Sequence, residues 1–174
     1  MQKLKKKELS LIEQEQKLLE LESLYHQQPN SELVPTKLYH FIKEDKPELI
    51  TEALNAIKQE GLKVAKPRNT TNFIDQKIQR PVGIYFWGQP ILEEVYITVK
   101  VNCLDLTKLY AFPHLIADTI LKINEEYIVN QEFWAKLKEI AYTIPFTEYQ
   151  GQFRAEFIYT ADISAKLLTI NQPT

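Results

Sequence analysis

Apolar residues recur at seven-residue spacing at the start of the chain, at Leu4, Leu11, Leu18 and Tyr25, and Ile12, Leu19 and Leu21 widen the stripe. Residues 2–27 contain no Gly or Pro and are rich in Leu, Glu, Gln and Lys, all good helix formers. The pattern predicts one long amphipathic helix. The alternate heptad positions Lys7, Gln14 and Gln28 are polar, which disfavours a coiled-coil seam and favours a helix packed along one side of something. At ~1.5 Å per residue such a helix would span on the order of 38 Å, longer than a small domain needs. Pro29 and Asn30 break it, so residues 1–28 form an arm or cover and residues 29–174 a single α+β domain.

Beyond the break, Pro35 is read as opening a short second helix with Leu38, Phe41 and Ile42. Pro47 suits a helix's first turn, and Leu49, Ile50, Ala53, Leu54 and Ile57 supply a regular apolar face that ends at Gly61. Residues 66–81 are polar and bounded by prolines, and read as a long loop. The period then changes. Val82 to Trp87 reads as a strand and residues 88–91 as a turn. From Glu93 to Cys103, Val95, Ile97, Val99, Val101 and Cys103 alternate with Tyr96, Thr98, Lys100 and Asn102. These two strands are expected to pair as an antiparallel hairpin.

Pro113 starts another helix with Leu115, Ile116, Thr119, Ile120 and Ile123 on one side, and Asn130 can cap a further one bearing Phe133, Trp134, Leu137, Ala141 and Ile144. Gln152 to Asp162 alternates again, with Phe153, Ala155, Phe157, Tyr159 and Ala161 opposed to Arg154, Glu156, Thr160 and Asp162. Residues 163–170 can add a short strand. Helices and strands are segregated, which predicts a two-layer α+β domain. Its sheet would be small and mainly antiparallel, a hairpin plus a C-terminal strand packed by helix pairs.

Composition narrows the function classes. Hydrophobic residues make up 44% and charged residues 25% of the 174 positions, as in ordinary globular chains. Glycine occurs only four times, which argues against glycine-rich nucleotide loops. The net charge of −2 argues against a wholly electrostatic nucleic-acid binder. Cys103 is the single cysteine, so no intramolecular disulfide or multi-cysteine zinc motif can form. No window approaches the ~18 apolar residues of a membrane span, and the basic start is followed by acids rather than an apolar run. A cytoplasmic location without membrane attachment is expected on these grounds.

Candidate chemistry is sparse. Lys63, Lys66, Arg68, Lys77 and Arg80 face only Asp75 across residues 62–81, directly before Tyr85-Phe86-Trp87. Cations beside aromatics are the logic of single-strand binding, so Lys66, Arg68, Lys77 and Arg80 are nucleic-acid candidates; an ordinary solvated loop is the simpler reading. Tyr85 and Trp87 share a strand face, and a hairpin pairing Ile84 near Val95 would add Tyr96 to it. That face needs a cover, from the first helix or from a partner. His26, His40 and His114 lie on separate elements and Cys103 falls on the apolar side of its strand, so no metal site and no Cys103–His114 catalysis is expected. No catalytic residue and no cofactor is assigned.

Lys3, Lys5, Lys6 and Lys7 precede Glu8, Glu13, Glu15, Glu20 and Glu22, a polarity opposed to the helix dipole. An antiparallel dimer would set each lysine cluster against the other copy's glutamates. The expectation is therefore a non-enzymatic interaction or assembly protein, self-associating as a homodimer or binding a protein partner. It would use Leu4, Leu11, Leu18 and Tyr25 with Tyr85, Trp87 and Tyr96. A nucleic-acid accessory protein and an enzyme of unrecognised class stand as alternatives, the last requiring a deep pocket with convergent polar groups.

Overall fold

The structure, a computed structural model, describes residues 5–64, 77–91 and 94–172. Ser10 sets the start of the first helix, α1 (Leu11–Tyr25). Its hydroxyl accepts from the Glu13 N–H while the Glu13 carboxylate accepts from the Ser10 N–H, a reciprocal capping box. Lysines ahead of it would oppose the helix dipole, and Lys5, Lys6 and Lys7 are not helical. Lys7–Glu8 instead forms a short strand, β1. The expected helix over residues 2–27 is thus shortened, and residues 2–4 of it lie outside the described part.

Lys37–Phe41, expected as a helix, is a strand, β2. Leu38, Phe41 and Ile42 have helical spacing, but in the strand Leu38 and Phe41 are buried on opposite faces, and the aromatic residues favour an extended chain once partners lie on both sides. Pro47 opens α2 (Pro47–Glu60) and Gly61 ends it at φ 79°. A Cβ on Gly61 would stand 2.0 Å from the Ile163 carbonyl oxygen, where Leu62 and Ile163 exchange backbone hydrogen bonds. Only glycine fits there.

The remaining strands are β3 (Ile84–Trp87), β4 (Tyr96–Lys100), β5 (Leu109–Phe112), β6 (Tyr127–Ile128), β7 (Ile144–Pro145), β8 (Glu156–Tyr159) and β9 (Leu168–Asn171). Pro113 and Asn130 begin α3 (His114–Glu126) and α4 (Gln131–Ile140), the latter capped by the Asn130 side chain on the Phe133 N–H. α4 ends before Ile144, which belongs to a strand.

Seven strands form one wholly antiparallel sheet in the order β7-β5-β8-β3-β2-β4-β9, and β1 pairs with β6 in parallel outside it. The α+β class holds, but the sheet is not small and the expected hairpin is absent. β2 lies between β3 and β4 and pairs antiparallel with both. Residues 88–95 span that gap, which a tight hairpin turn would not.

The registers assign side chains to two faces. Leu38, Ile84, Phe86, Ile97, Val99, Leu109, Ala111, Phe157 and Tyr159 share one, and all are buried. On the other, Glu156, Ile158 and Phe112 are buried, whereas Lys37, Tyr39, Thr98 and Lys100 are exposed or half-buried. One end of the sheet is therefore covered on both faces and the other end on one. Cys103, expected on a buried strand face, is exposed: β4 stops at Lys100 and the chain coils into a 3-10 turn, Val101–Cys103, which breaks the alternation.

α1 packs on α4 and, less extensively, on α3. Gln14, Leu18, Leu21 and Tyr25 face inward, where the Tyr25 ring stacks on Phe153 at 4.9 Å and its hydroxyl donates to the Tyr142 carbonyl. Leu11, Ile12 and Leu19 point outward, at 64%, 70% and 65% exposure. The inward stripe combines the heptad positions Leu18 and Tyr25 with the alternate ones Gln14 and Leu21, and leaves Leu11 outside it.

Candidate functional site

Several chain segments end around one hollow. β3 delivers Trp87, and the loop after it supplies Gln89, Pro90 and Ile91. The N-terminal end of α3 brings His114 and Leu115, and the lead into β8 brings Arg154 and Ala155. Tyr149 lies on the inner wall, and Glu32 and Leu33 close the rim. The cavity measures about 360 Å³, within the range of small-ligand sites.

Local sequence explains why these pieces converge. Gly151 sits at φ 80°, and its carbonyl accepts from the Asn30 N–H. A Cβ there would lie 1.8 Å from the Asn30 carbonyl oxygen, so the glycine lets two loops touch and brings Glu32 beside Arg154's segment. Tyr149 donates from its hydroxyl to the Phe153 carbonyl, and burial pushes its pKa up to about 12, so it remains a neutral donor.

The polar groups are few and differ in state. The Trp87 and His114 rings meet edge to face, 4.6 Å apart. His114 Nδ1 is buried without a hydrogen-bond partner. Burial lowers the His114 pKa and the neighbouring Asp118 carboxylate draws it partly back, while the charges of Arg154 and Arg80 lower it further. The neutral form of the ring is thereby favoured, with Nδ1 left as the nitrogen open to a partner. Arg154 is exposed at the mouth, and its guanidinium has no ion-pair partner among the described residues.

Beside Trp87, across the β3–β8 ladder, stands Glu156, only 9% exposed. It is paired with Arg80, whose guanidinium lies 4.4 Å from the centre of the Tyr85 ring and 4.8 Å from that of Phe112. A buried carboxylate is tolerable only when paired in this way.

The expected partner-binding residues are divided by this architecture. Leu18 and Tyr25 belong to the protein's own core, Leu11 is exposed, and Leu4 lies outside the described residues. Tyr85, Trp87 and Tyr96 do occupy one sheet face, but Tyr39 of β2 stands between them. Of the nucleic-acid candidates, Lys66 and Arg68 lie outside the described residues, Lys77 is half-buried, and Arg80 faces Glu156 rather than solvent.

Cys103 and His114 line different cavities. Among the described residues no cluster of His, Cys, Asp or Glu could hold a metal ion, and no helix is long and apolar enough to cross a membrane. Sequence reading missed Arg154 and Glu156 as site residues. Their alternation with Phe153, Ala155 and Phe157 marks them as the solvent side of a strand, and no local signal shows that β8 lies inside the sheet. No family model, curated protein or solved structure matches the chain.

Proposed function

We propose that this chain is a small-molecule-binding domain whose ligand occupies the cavity between Trp87, His114 and Arg154. The convergence there of an indole, an acceptor nitrogen without a partner and a guanidinium without a counter-charge carries the reading. The ligand class that fits is a small anion with a flat or apolar body, as in aromatic carboxylates and nucleoside phosphates. The anion meets Arg154, the body lies against Trp87, Ile91 and Leu115, and a ligand O–H or N–H reaches His114. Trp87 can report binding once Trp134, the other tryptophan, is replaced by Phe. Aromatic carboxylates and nucleoside monophosphates titrated to millimolar concentration are expected to change Trp87 fluorescence and raise the melting temperature, and Arg154→Gln to weaken the effect at least tenfold. If no compound does either, the proposal fails.

A second reading is assembly through the outer face of α1, supported by the adjacent exposed Leu11, Ile12 and Leu19. Because Leu18 and Tyr25 are used in the core, self-association would rest on these three residues rather than on the whole heptad stripe. Light scattering of wild type and of Leu11→Glu/Leu19→Glu tests it. A wild-type mass of one chain at 100 μM (roughly the concentration at which weak dimers form) would remove this reading.

A further inference from the structure

On the same sheet face as Trp87, from β2 outward to the edge strand β9, the surface carries a different chemistry. The β2–β4 register sets Lys37 against Lys100, Tyr39 against Thr98 and Phe41 against Tyr96, and β9 adds Thr169 and Asn171 beside Thr98 and Tyr96. Alternate residues share a face, so these side chains lie side by side, with Phe41 buried and the others exposed or half-buried. The latter enclose a groove of about 370 Å³, to which the turn before β9 contributes Lys166. No acidic residue lines the groove. Among the described residues none of Lys37, Lys100 and Lys166 has an ion-pair partner.

Like charges directly opposite on neighbouring strands are destabilising. Nothing in the local sequence requires lysine at both positions, since any β-compatible polar residue would serve an exposed pair. Bound polyanion would turn that repulsion into attraction. Between the lysines, the Tyr39 and Tyr96 rings lie 5.5 Å apart at 60°, and Phe41 continues the row 5.9 Å from Tyr96. Tyr39 and Tyr96 are half-buried, so each is held on the sheet and still presents ring surface.

We propose that this face binds single-stranded nucleic acid. Phosphates lie along Lys37, Lys100 and Lys166, bases stack on Tyr39 and Tyr96, and Thr98, Thr169 and Asn171 offer hydrogen bonds at the groove floor. Charge complementarity selects a polyanion, and the aromatic row selects one whose repeating units have flat faces. An acidic peptide satisfies only the first condition. Arg80, the last cation of the basic segment, does not line this groove and is paired with Glu156.

Fluorescence anisotropy of a labelled 12-nucleotide single strand, as DNA and as RNA, tests the proposal on the full chain at 50 and 200 mM salt. Wild type is expected to bind at 50 mM and weaken at 200 mM. Lys37→Gln/Lys100→Gln/Lys166→Gln is expected to lose at least tenfold affinity and to reduce the salt slope by about two, three contacts at ~0.7 each. Tyr96→Leu, which keeps an apolar residue on the strand, is expected to lose about tenfold. Lys66→Gln/Arg68→Gln is expected to bind as wild type. No wild-type binding at 50 mM salt, an unaffected lysine triple variant, or loss only in the Lys66/Arg68 variant overturns the proposal. So does polyglutamate competing as well as oligonucleotide, because it would identify a surface that reads charge alone. Unchanged circular dichroism of the lysine variant, whose three positions are exposed, keeps a loss of binding from being a loss of fold.

Discussion

Glu156 is held inside the sheet by Arg80, whose guanidinium is flanked by two aromatic rings. Arg80→Met removes the charged partner of this carboxylate while roughly preserving volume. It is expected to cost about 3–5 kcal/mol, and Arg80→Met/Glu156→Leu to recover most of that, as measured by urea unfolding. A double variant no more stable than Arg80→Met would show that Glu156 contributes something besides the pair. Histidines set a pH dependence at the same scale. Burial lowers the pKa of His40, whose Nδ1–H donates to the Tyr85 carbonyl at 2.8 Å, and burial likewise lowers that of His114. Both folded values lie below the unfolded value of about 6.5, so at lower pH the unfolded chain binds more protons. Their contribution to stability is complete above pH ~6.5 and is lost as pH falls through the depressed folded values. The urea midpoint is expected to drop from pH 7.5 to 5.5, and His40→Asn to flatten that drop; an equal slope in the variant would assign it to other groups. The polar identity of these residues was legible in the sequence. Their burial was not, because Glu156 and His40 belong to strands whose neighbours are set by distant segments.

Among the elements, α1 shows how a single polar side chain can decide docking. Gln14 is 7% exposed, donates from its amide to the Leu9 carbonyl at 3.0 Å and accepts from the Asn130 N–H at 3.4 Å. It joins the start of α1 to the start of α4. Gln14→Leu is expected to cost about 1–3 kcal/mol by leaving those backbone groups unsatisfied, and Ser10→Ala about 1 kcal/mol through the lost cap. Thermal and urea unfolding give both, and a neutral Gln14→Leu would show that Leu18, Leu21 and Tyr25 seat the helix unaided. Gln14 reads in sequence as a reason to reject a coiled coil, which is correct as far as it goes. Its partners lie more than 100 residues away for Asn130, so its role as an anchor could not be read. The helix start could have been: Ser10 and Glu13 have capping-box spacing, and that signal outweighs the helix-forming composition of residues 5–9.

Across the whole molecule, α1 belongs to the body on its inner side whatever its outer side meets. Removing residues 1–27 would uncover the α4 surface and strip Tyr25 from Phe153 and Tyr142. The shortened chain is expected to lose cooperative unfolding and to aggregate, observed by circular dichroism and light scattering. A soluble monomer with the wild-type melting temperature would contradict the packing described above. The cavity and the lysine–tyrosine groove share no lining residue, although Trp87 of the first pairs across the strands with Tyr39 of the second, so substitutions at Arg154 and at Lys37, Lys100 and Lys166 test the two ligands separately.

Local chemistry by itself determined three helices and the α+β class. Pro47, Gly61, Pro113 and Asn130 act on the backbone of their own turns, and the 3.6-residue apolar faces of α2, α3 and α4 follow from nearby residues alone. Alternation likewise located stretches of β3, β4 and β8. Strand order was decided only in three dimensions, where Lys37–Phe41 left its expected helix to sit between β3 and β4. The same holds for the face α1 buries, for the burial of Glu156, and for the meeting of Trp87, His114 and Arg154. Each of these depends on which segments far apart in the chain come to lie together, and neither caps nor periodicity carries that information.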